Sequence, residues 1–172
     1  MQDRRTVPWQ SASVMTPMSV LHFRRAISEP VADSGSGGGF TIRPLEPEAD
    51  RADAVAVVAA LAEAAVPLRP AGVLADLQSR PGRSVRAWIA ESTAAGDALG
   101  FASLVTVGRE PRWSIGWLLV RPDARLRGIG RALVTRALHD ARAAGAREVW
   151  VETGARWPEA IAFWRAVGFG PV

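Results

Sequence analysis

The segment from residue 113 to residue 144 constrains the fold most, because it predicts a strand, a glycine-containing turn and an amphipathic helix in direct succession. Gly128 and Gly130 stand at the end of the turn, where glycine lets the backbone come close to a ligand. The first amides of the following helix carry no intrahelical partner and, with the helix dipole, form an anion site suited to a pyrophosphate. Three arginines add positive charge at its rim: Arg125, Arg127 and Arg131.

Other phosphate-binding motifs do not fit this turn. A dinucleotide-binding fingerprint needs Gly or Ala where Leu133 stands. A P-loop needs a lysine, and this sequence contains none. A kinase glycine loop lies between two strands, whereas this turn precedes a helix. An ordinary Arg/Gly-rich turn is the remaining alternative, and the flanking strand and helix favour an anion site over it.

The composition excludes several classes of protein. The chain has 172 residues and no cysteine, which predicts one domain without disulfides, thiolate metal sites or a cysteine nucleophile. A net charge of +4 is weak support for nucleic-acid binding, so no nucleic-acid partner is expected. The longest small-apolar run, Ala54 to Ala62, is half of the roughly 18 residues a membrane helix needs. No signal or transit peptide is recognisable, so we expect a cytoplasmic protein without a membrane partner.

The order of predicted elements indicates a mixed α/β domain at residues 40–172 behind a flexible tail at residues 1–39. The tail ends in a Gly/Ser linker and holds at most a short helix near Val20 to Ile27. A run of antiparallel hairpins followed by a β-α-β unit predicts a mixed sheet. Strands are predicted at 40–45, 85–91, 99–107, 113–120 and 148–153, and helices at 47–66, 70–79, 130–144 and 158–167.

Two motifs resemble signatures of the GNAT superfamily of acyl-CoA-dependent N-acyltransferases. Arg125-x-x-Gly128-x-Gly130 after a Val-x-Pro is similar to its motif A, and the segment from Ala160 to Phe169 is similar to its second signature. The resemblance covers about residues 40–172. It implies a mostly antiparallel sheet with flanking helices and a central parallel pair, here 113–120 and 147–153, whose strands splay apart.

The resemblance also implies acetyl-CoA as co-substrate, without a metal, and a small-molecule or peptide primary amine as acceptor. Backbone amides of the turn would bind the CoA pyrophosphate, and the edge of the preceding strand would pair with the pantetheine. A backbone N–H near Leu119 is expected to stabilise the oxyanion. The predicted binding residues are Leu118, Leu119, Val120, Arg125, Leu126, Arg127, Gly128, Ile129, Gly130 and Arg131.

Glu152, near the end of the strand after motif A, is the predicted general base, because some family members carry a glutamate there. The alternative for Glu152 is a solvated carboxylate at a strand end. Ser114 replaces the glutamate that other members carry on the preceding strand, and Glu110 is a weaker alternative base. His139 is expected to form a surface pair with Asp140, and His22 falls in the tail. Without cysteine, direct attack in a ternary complex is favoured over a thiol acyl-enzyme.

Three departures from the family pattern bear on activity. Trp164 stands in place of the tyrosine that often protonates the thiolate, and Trp157 in place of a pantetheine-binding asparagine. Family members usually continue past Gly168-Phe169 into two strands, whereas only three residues follow here, so the edge of residues 147–153 is expected to be open to a second copy in a homodimer. A truncated reading frame is the alternative. We therefore expect impaired rather than abolished N-acetyltransferase activity, and a catalytically silent acyl-CoA-binding module is the alternative.

Overall fold

The computed structural model describes residues 20–27, 38–63, 68–108 and 111–172, which form one seven-stranded sheet with four α-helices. The strands are β1 (Val20–Ala26), β2 (Phe40–Pro44), β3 (Arg83–Ser92), β4 (Ala98–Val107), β5 (Arg112–Val120), β6 (Glu148–Gly154) and β7 (Gly170–Pro171). The helices are α1 (Arg51–Glu63), α2 (Pro70–Asp76), α3 (Ile129–Ala143) and α4 (Pro158–Ala166).

The strand order across the sheet is β2-β3-β4-β5-β6-β1-β7. Each recorded pairing is antiparallel except that between β5 and β6, which are joined by a crossover connection through α3. This is the predicted mixed, mostly antiparallel sheet with one central parallel pair, and the prediction is confirmed.

Two apolar clusters cover the two faces of the sheet, because strand side chains alternate between faces. One cluster packs the buried side of α3, including Leu133, Val134 and Leu138, against the sheet together with Trp164 of α4. The other packs α1 and α2 against the opposite face, around Phe101. The sheet is therefore a shared layer, and its strand β4 is buried on both sides from Ala98 to Val105.

The structure of residues 20–26, which form β1, contradicts two of the predictions. Val20–Ala26 is a strand and not a short helix, and it pairs antiparallel with the whole of β6. Phe23 is 1% exposed, because the pairing places its ring in the α3 cluster. The edge of β6 is therefore covered by β1 of the same chain and not left open, so the argument for a homodimer at that edge no longer holds. The remaining predicted tail, residues 1–19 and 28–37, lies outside the described residues.

The short strand β7 pairs with the outer edge of β1, with Phe23 opposite Pro171 and Arg24 opposite Gly170. The chain thus continues past Gly168-Phe169 into a two-residue strand. The other predicted elements are confirmed within a few residues at each end. The main difference is α1, which begins at Arg51 and not at Pro47.

Candidate active site

The parallel strands β5 and β6 separate soon after they meet. Their register pairs are Ser114 with Trp150 and Ile115 with Val151, whereas β5 runs on to Val120 and β6 to Gly154. We call the gap between residues 116–120 of β5 and residues 152–154 of β6 the slot. The predicted splayed pair is therefore present.

A β-bulge at Gly116 marks the point where β5 leaves β6. On the side of β4, Ser103 pairs with Trp117 and Leu104 with Ile115, so Gly116 is the extra residue. The buried Ser103 hydroxyl accepts a hydrogen bond of 3.0 Å from the Trp117 N–H. A Cβ on Gly116 would lie 2.8 Å from Val105 Cγ2, which explains why this position lacks a side chain.

Alternation along β5 decides which backbone groups face the slot. The Arg121 N–H donates to Leu99 O of the β4 side at 2.9 Å, and a Cβ on Gly100 would lie 2.5 Å from the Leu119 carbonyl oxygen. Leu119 therefore directs its backbone groups toward β4, and those of Leu118 and Val120 point the other way, into the slot. The N–H near Leu119 that could face a ligand carbonyl in the slot is thus that of Leu118 or Val120.

The turn that follows β5 forms a concave row of amides. Leu126 and Gly128 both adopt left-handed backbone conformations, with φ of 61° and 83°. Such a succession of turn residues makes an anion-binding nest. Within the described part of the chain, no partner is recorded for the N–H groups of residues 126–131, and the first helical bond at this end runs from the Ala132 N–H to Gly128 O at 3.0 Å.

Neighbouring residues hold the turn in place. A Cβ on Gly130 would lie 3.3 Å from Phe163, so the α4 ring packs directly on the first turn of α3. Before the turn, the Arg121 guanidinium binds the carboxylates of Asp97 and Asp123, each at 2.6 Å. Gly128 has nothing within 4 Å of an added Cβ, so its open side leaves room for a phosphate group.

Glu152 is the first β6 residue beyond the last pair with β5, and its side chain is only 19% exposed. His22 lies opposite it on β1, with Nδ1 at 3.1 Å from Glu152 Oε1. Burial raises the pKa of the Glu152 carboxyl above its ordinary value, while the charges of His22 and Arg112 lower it in part. A carboxyl group with a raised pKa at the mouth of a slot has the properties of a general base.

The face of β6 that carries Glu152 also carries Trp150, whose ring lies between two guanidinium groups. Arg112 lies 3.8 Å from the ring centroid and Arg24 lies 5.9 Å from it. The indole Nε1–H donates to Glu148 Oε1 at 2.8 Å. Near Glu152, this face of β6 therefore carries the guanidinium groups of Arg24 and Arg112 and the carboxylate of Glu148.

The remaining predicted residues fall as follows. Ser114 is buried on β5, and Glu110 lies outside the described residues. His139 forms the expected pair with Asp140 at 3.2 Å, on the exposed side of α3. Trp164 is 5% exposed, with its ring edge-on to Phe163 and Phe169, so this indole is part of the core.

His22 is the site residue that the sequence analysis did not place. Its partner Glu152 lies near the other end of the chain, and no local pattern reports a pairing of that range. The alternation of buried Phe23 with exposed neighbours was the one available signal, and it covers too few residues to identify a strand.

The described residues offer neither a metal site nor a membrane-spanning helix. They contain no group of three or more His, Cys, Asp or Glu side chains that could hold a metal ion. Among the helices of the described ranges, none has the length and apolar content needed to cross a membrane.

Comparisons with known proteins agree with this geometry. The model of the acetyltransferase (GNAT) family matches residues 56–169. The chain shares the fold of a GCN5-related N-acetyltransferase from Sphaerobacter thermophilus, with a TM-score of 0.66, 22% identity, and coverage of 89% of this chain and 48% of that one. It also shares the fold of a tandem GNAT protein from the clavulanic acid biosynthesis pathway, with a TM-score of 0.68, 18% identity, and coverage of 92% and 51%.

A GNAT-family protein from Desulfovibrio desulfuricans is 25% identical, with a TM-score of 0.62 and coverage of 76% of this chain and 85% of that one. The chain spans about half the length of the first two structures. The search of curated proteins gives no match. Because the family model covers well over half of the 172 residues and the sheet has the splayed parallel pair, the chain belongs to the acetyltransferase (GNAT) family.

Proposed function

We propose that this protein is an N-acetyltransferase that moves the acetyl group of acetyl-CoA to a primary amine of a small molecule or peptide. The observation that carries the proposal is the order of features along β5. This strand separates from β6 beside Glu152 and leads through Val120 to the amide row of residues 126–131. One extended ligand can therefore reach from an anion site to a carboxylate. The proposed catalytic unit is residues 40–172 together with β1.

The binding half of the site suits the phosphate end of acyl-CoA. The free amides of the turn and the dipole of α3 favour a pyrophosphate. Arg125, Arg127 and Arg131 are exposed beside the turn and supply charge for the phosphate oxygens. The backbone groups of Leu118 and Val120 are positioned to pair with the amides of a pantetheine arm, as an added strand would.

The chemical half of the site provides a base and an oxyanion donor. A bound thioester supplies the acetyl group, and Glu152 takes the proton of the attacking amine. The N–H of Leu118 or Val120 stabilises the charge that develops on the thioester oxygen. The absence of cysteine favours direct attack over a thiol acyl-enzyme, because no thiol exists to carry an acyl group. Holding both substrates in one slot supplies much of the rate by proximity.

Calorimetric titration with acetyl-CoA tests the binding half. The wild-type protein should bind, and Arg131→Ala, at the start of α3, should weaken binding by about tenfold, as expected for one lost phosphate contact. Arg142→Ala, an exposed arginine in the last turn of the same helix, is the matched control and should bind like wild type. Absence of binding by the wild-type protein would refute the proposal.

Thiol release with a panel of primary amines tests the chemical half. Glu152→Gln should reduce turnover by about 100-fold, in the range of general-base contributions, and leave acetyl-CoA binding intact. Glu148→Gln lies on the same face of β6 and should retain turnover. Unchanged turnover in Glu152→Gln would remove Glu152 as the base.

A silent acyl-CoA-binding module is the second candidate, and the burial of Trp164 favours it. The indole is packed into the core at the place of the tyrosine that serves as acid in relatives, so it provides no proton for the thiolate. For the proposed enzyme, water must supply that proton. Tight binding of acetyl-CoA, with no release of the CoA thiol in the presence of any amine of the panel, would identify the silent module.

A further inference from the structure

His22 contacts the proposed base but has no role in the chemistry described so far. It lies on β1 at the register partner of Glu152, and the pair is held by a contact of 3.1 Å between Nδ1 and Oε1. The two side chains differ in exposure, 43% for His22 and 19% for Glu152. The more exposed imidazole therefore contacts a carboxylate that is itself mostly buried.

The other charged groups around Glu152 are already committed or lie farther along the strands. Glu148, on the same face of β6, accepts hydrogen bonds from Trp150 Nε1 and from Arg24 of β1. Arg112 of β5 stacks on the Trp150 ring. Among the described residues, His22 makes the one recorded ion pair with Glu152. It is thus the group placed to fix the orientation of the carboxylate.

We propose that His22 is a positioning residue for the base, holding one oxygen of Glu152 through Nδ1–H so that the other oxygen is directed at the acceptor amine. This proposal rests on the proposed function. When the amine attacks, its N–H bond breaks and the proton joins the free oxygen of Glu152, while the Nδ1–H of His22 stays in place. The site is thereby completed by the N-terminal strand.

The sign of the pH effect follows from the groups that face Glu152. Burial is the larger influence and raises the pKa of Glu152, whereas the charges of His22 and Arg112 lower it. Removal of His22 leaves burial opposed by Arg112 alone, so the pKa of Glu152 rises further. The carboxylate then forms only at higher pH, and the acidic limb of the kcat/KM profile moves to higher pH.

Three variants separate positioning from packing. His22→Leu should reduce kcat by about tenfold, as for one lost hydrogen bond to a charged group, with the KM for acetyl-CoA unchanged. Its acidic limb should move to higher pH. His22→Asn places an amide N–H near the position of Nδ1, so it should recover most of kcat at high pH while the limb stays displaced. Arg24→Leu changes a residue two positions along on the same face of β1. Its kcat/KM profile should keep the acidic limb at the wild-type pH.

The proposal is overturned if His22→Leu has the kcat and the acidic limb of the wild-type protein. It is also overturned if Arg24→Leu loses as much kcat as His22→Leu does. A readout without turnover keeps this test separate from the proposed function. The Glu152 carboxyl can be titrated by carbon NMR in wild type and in His22→Leu. A titration that moves to higher pH in the variant supports the pair even if no amine is acetylated, and coincident titrations refute it. Failure to bind acetyl-CoA refutes the proposed function alone.

Discussion

Leu126 has an unusual backbone conformation at the centre of the proposed anion site. Its φ of 61° lies in the left-handed region, and its side chain is fully exposed, so no packing compensates for the conformation. A left-handed conformation costs a residue with a Cβ about 1–2 kcal/mol. The turn therefore stores strain where the row of amides must be held for a ligand.

Leu126→Gly should raise the free energy of unfolding, by at most about 1 kcal/mol, because glycine adopts positive φ without strain. For a chain of this size the melting temperature should rise by up to about 2–4 °C. Calorimetry of the purified variant measures this. Ala59→Gly, an exposed position in α1, introduces the same residue where φ is helical and should lower the melting temperature. A fall in both variants would contradict the strain at Leu126.

Glu152→Gln should stabilise the fold at about pH 7.5 while it removes the proposed base. Burial raises the pKa of Glu152 in the folded state, so the folded protein holds this proton more tightly than the unfolded chain does. The charged carboxylate therefore opposes folding at neutral pH, and this penalty disappears as the pH falls through the folded pKa. The melting temperature of the variant should exceed that of wild type at neutral pH, and the two should converge in acid.

The control for this pH series is Glu148→Gln, whose carboxylate is 42% exposed and pairs with Arg24. It should show no stabilisation at neutral pH. A Glu152→Gln variant that is less stable than wild type by the same margin at every pH would show that the carboxylate is not penalised by burial.

At the scale of elements, β1 contributes to the sheet out of proportion to its length. It supplies the pairing partner for all of β6, and Phe23 inserts fully into the α3 cluster. The strand also contributes Arg25, whose guanidinium donates to the carbonyl of Val167 at 2.8 Å near the end of α4. One seven-residue strand thus ties β6 to the last helix.

Phe23→Ala should lower the free energy of unfolding by about 3–5 kcal/mol, the cost of removing a buried phenyl ring. Chemical denaturation measures the loss. Leu21→Ala, two residues earlier on the same face but 37% exposed, is the matched control and should cost much less. If Phe23→Ala is no more destabilising than Leu21→Ala, β1 is not a structural part of the domain.

Local features of the fold could be predicted from the sequence, whereas pairings between distant segments could not. The turn at residues 125–131 and the helix α3 were predictable, because glycine spacing and a helical apolar period are properties of adjacent residues. The position of β1 was not, because its pairing with β6 joins residues from opposite ends of the chain. The N–H that faces the slot could be predicted only as one near Leu119, because the direction of each amide depends on the register with β4, which the sequence of β5 alone does not determine.

At the scale of the whole molecule, the sheet consists of two parts that meet at the slot. The strands β2 to β5 form one part, and β6, β1 and β7 form the other. The direct register between them is limited to two residue pairs, near the start of β5 and in the middle of β6. Beyond those pairs, α3 packs on β4 and β5, Phe163 of α4 packs against the first turn of α3, and Arg25 of β1 donates to Val167 at the end of α4.

The separation of β5 from β6 has a consequence for amide exchange. The N–H groups of the partly buried Leu118 and Val120 face a gap and not a neighbouring strand, so their hydrogens should exchange with deuterium far faster than that of Leu119. A bound pantetheine arm would close the row of hydrogen bonds and slow these two positions while leaving Leu119 unchanged. Exchange followed residue by residue, with and without acetyl-CoA, would then report the ligand as a temporary eighth strand.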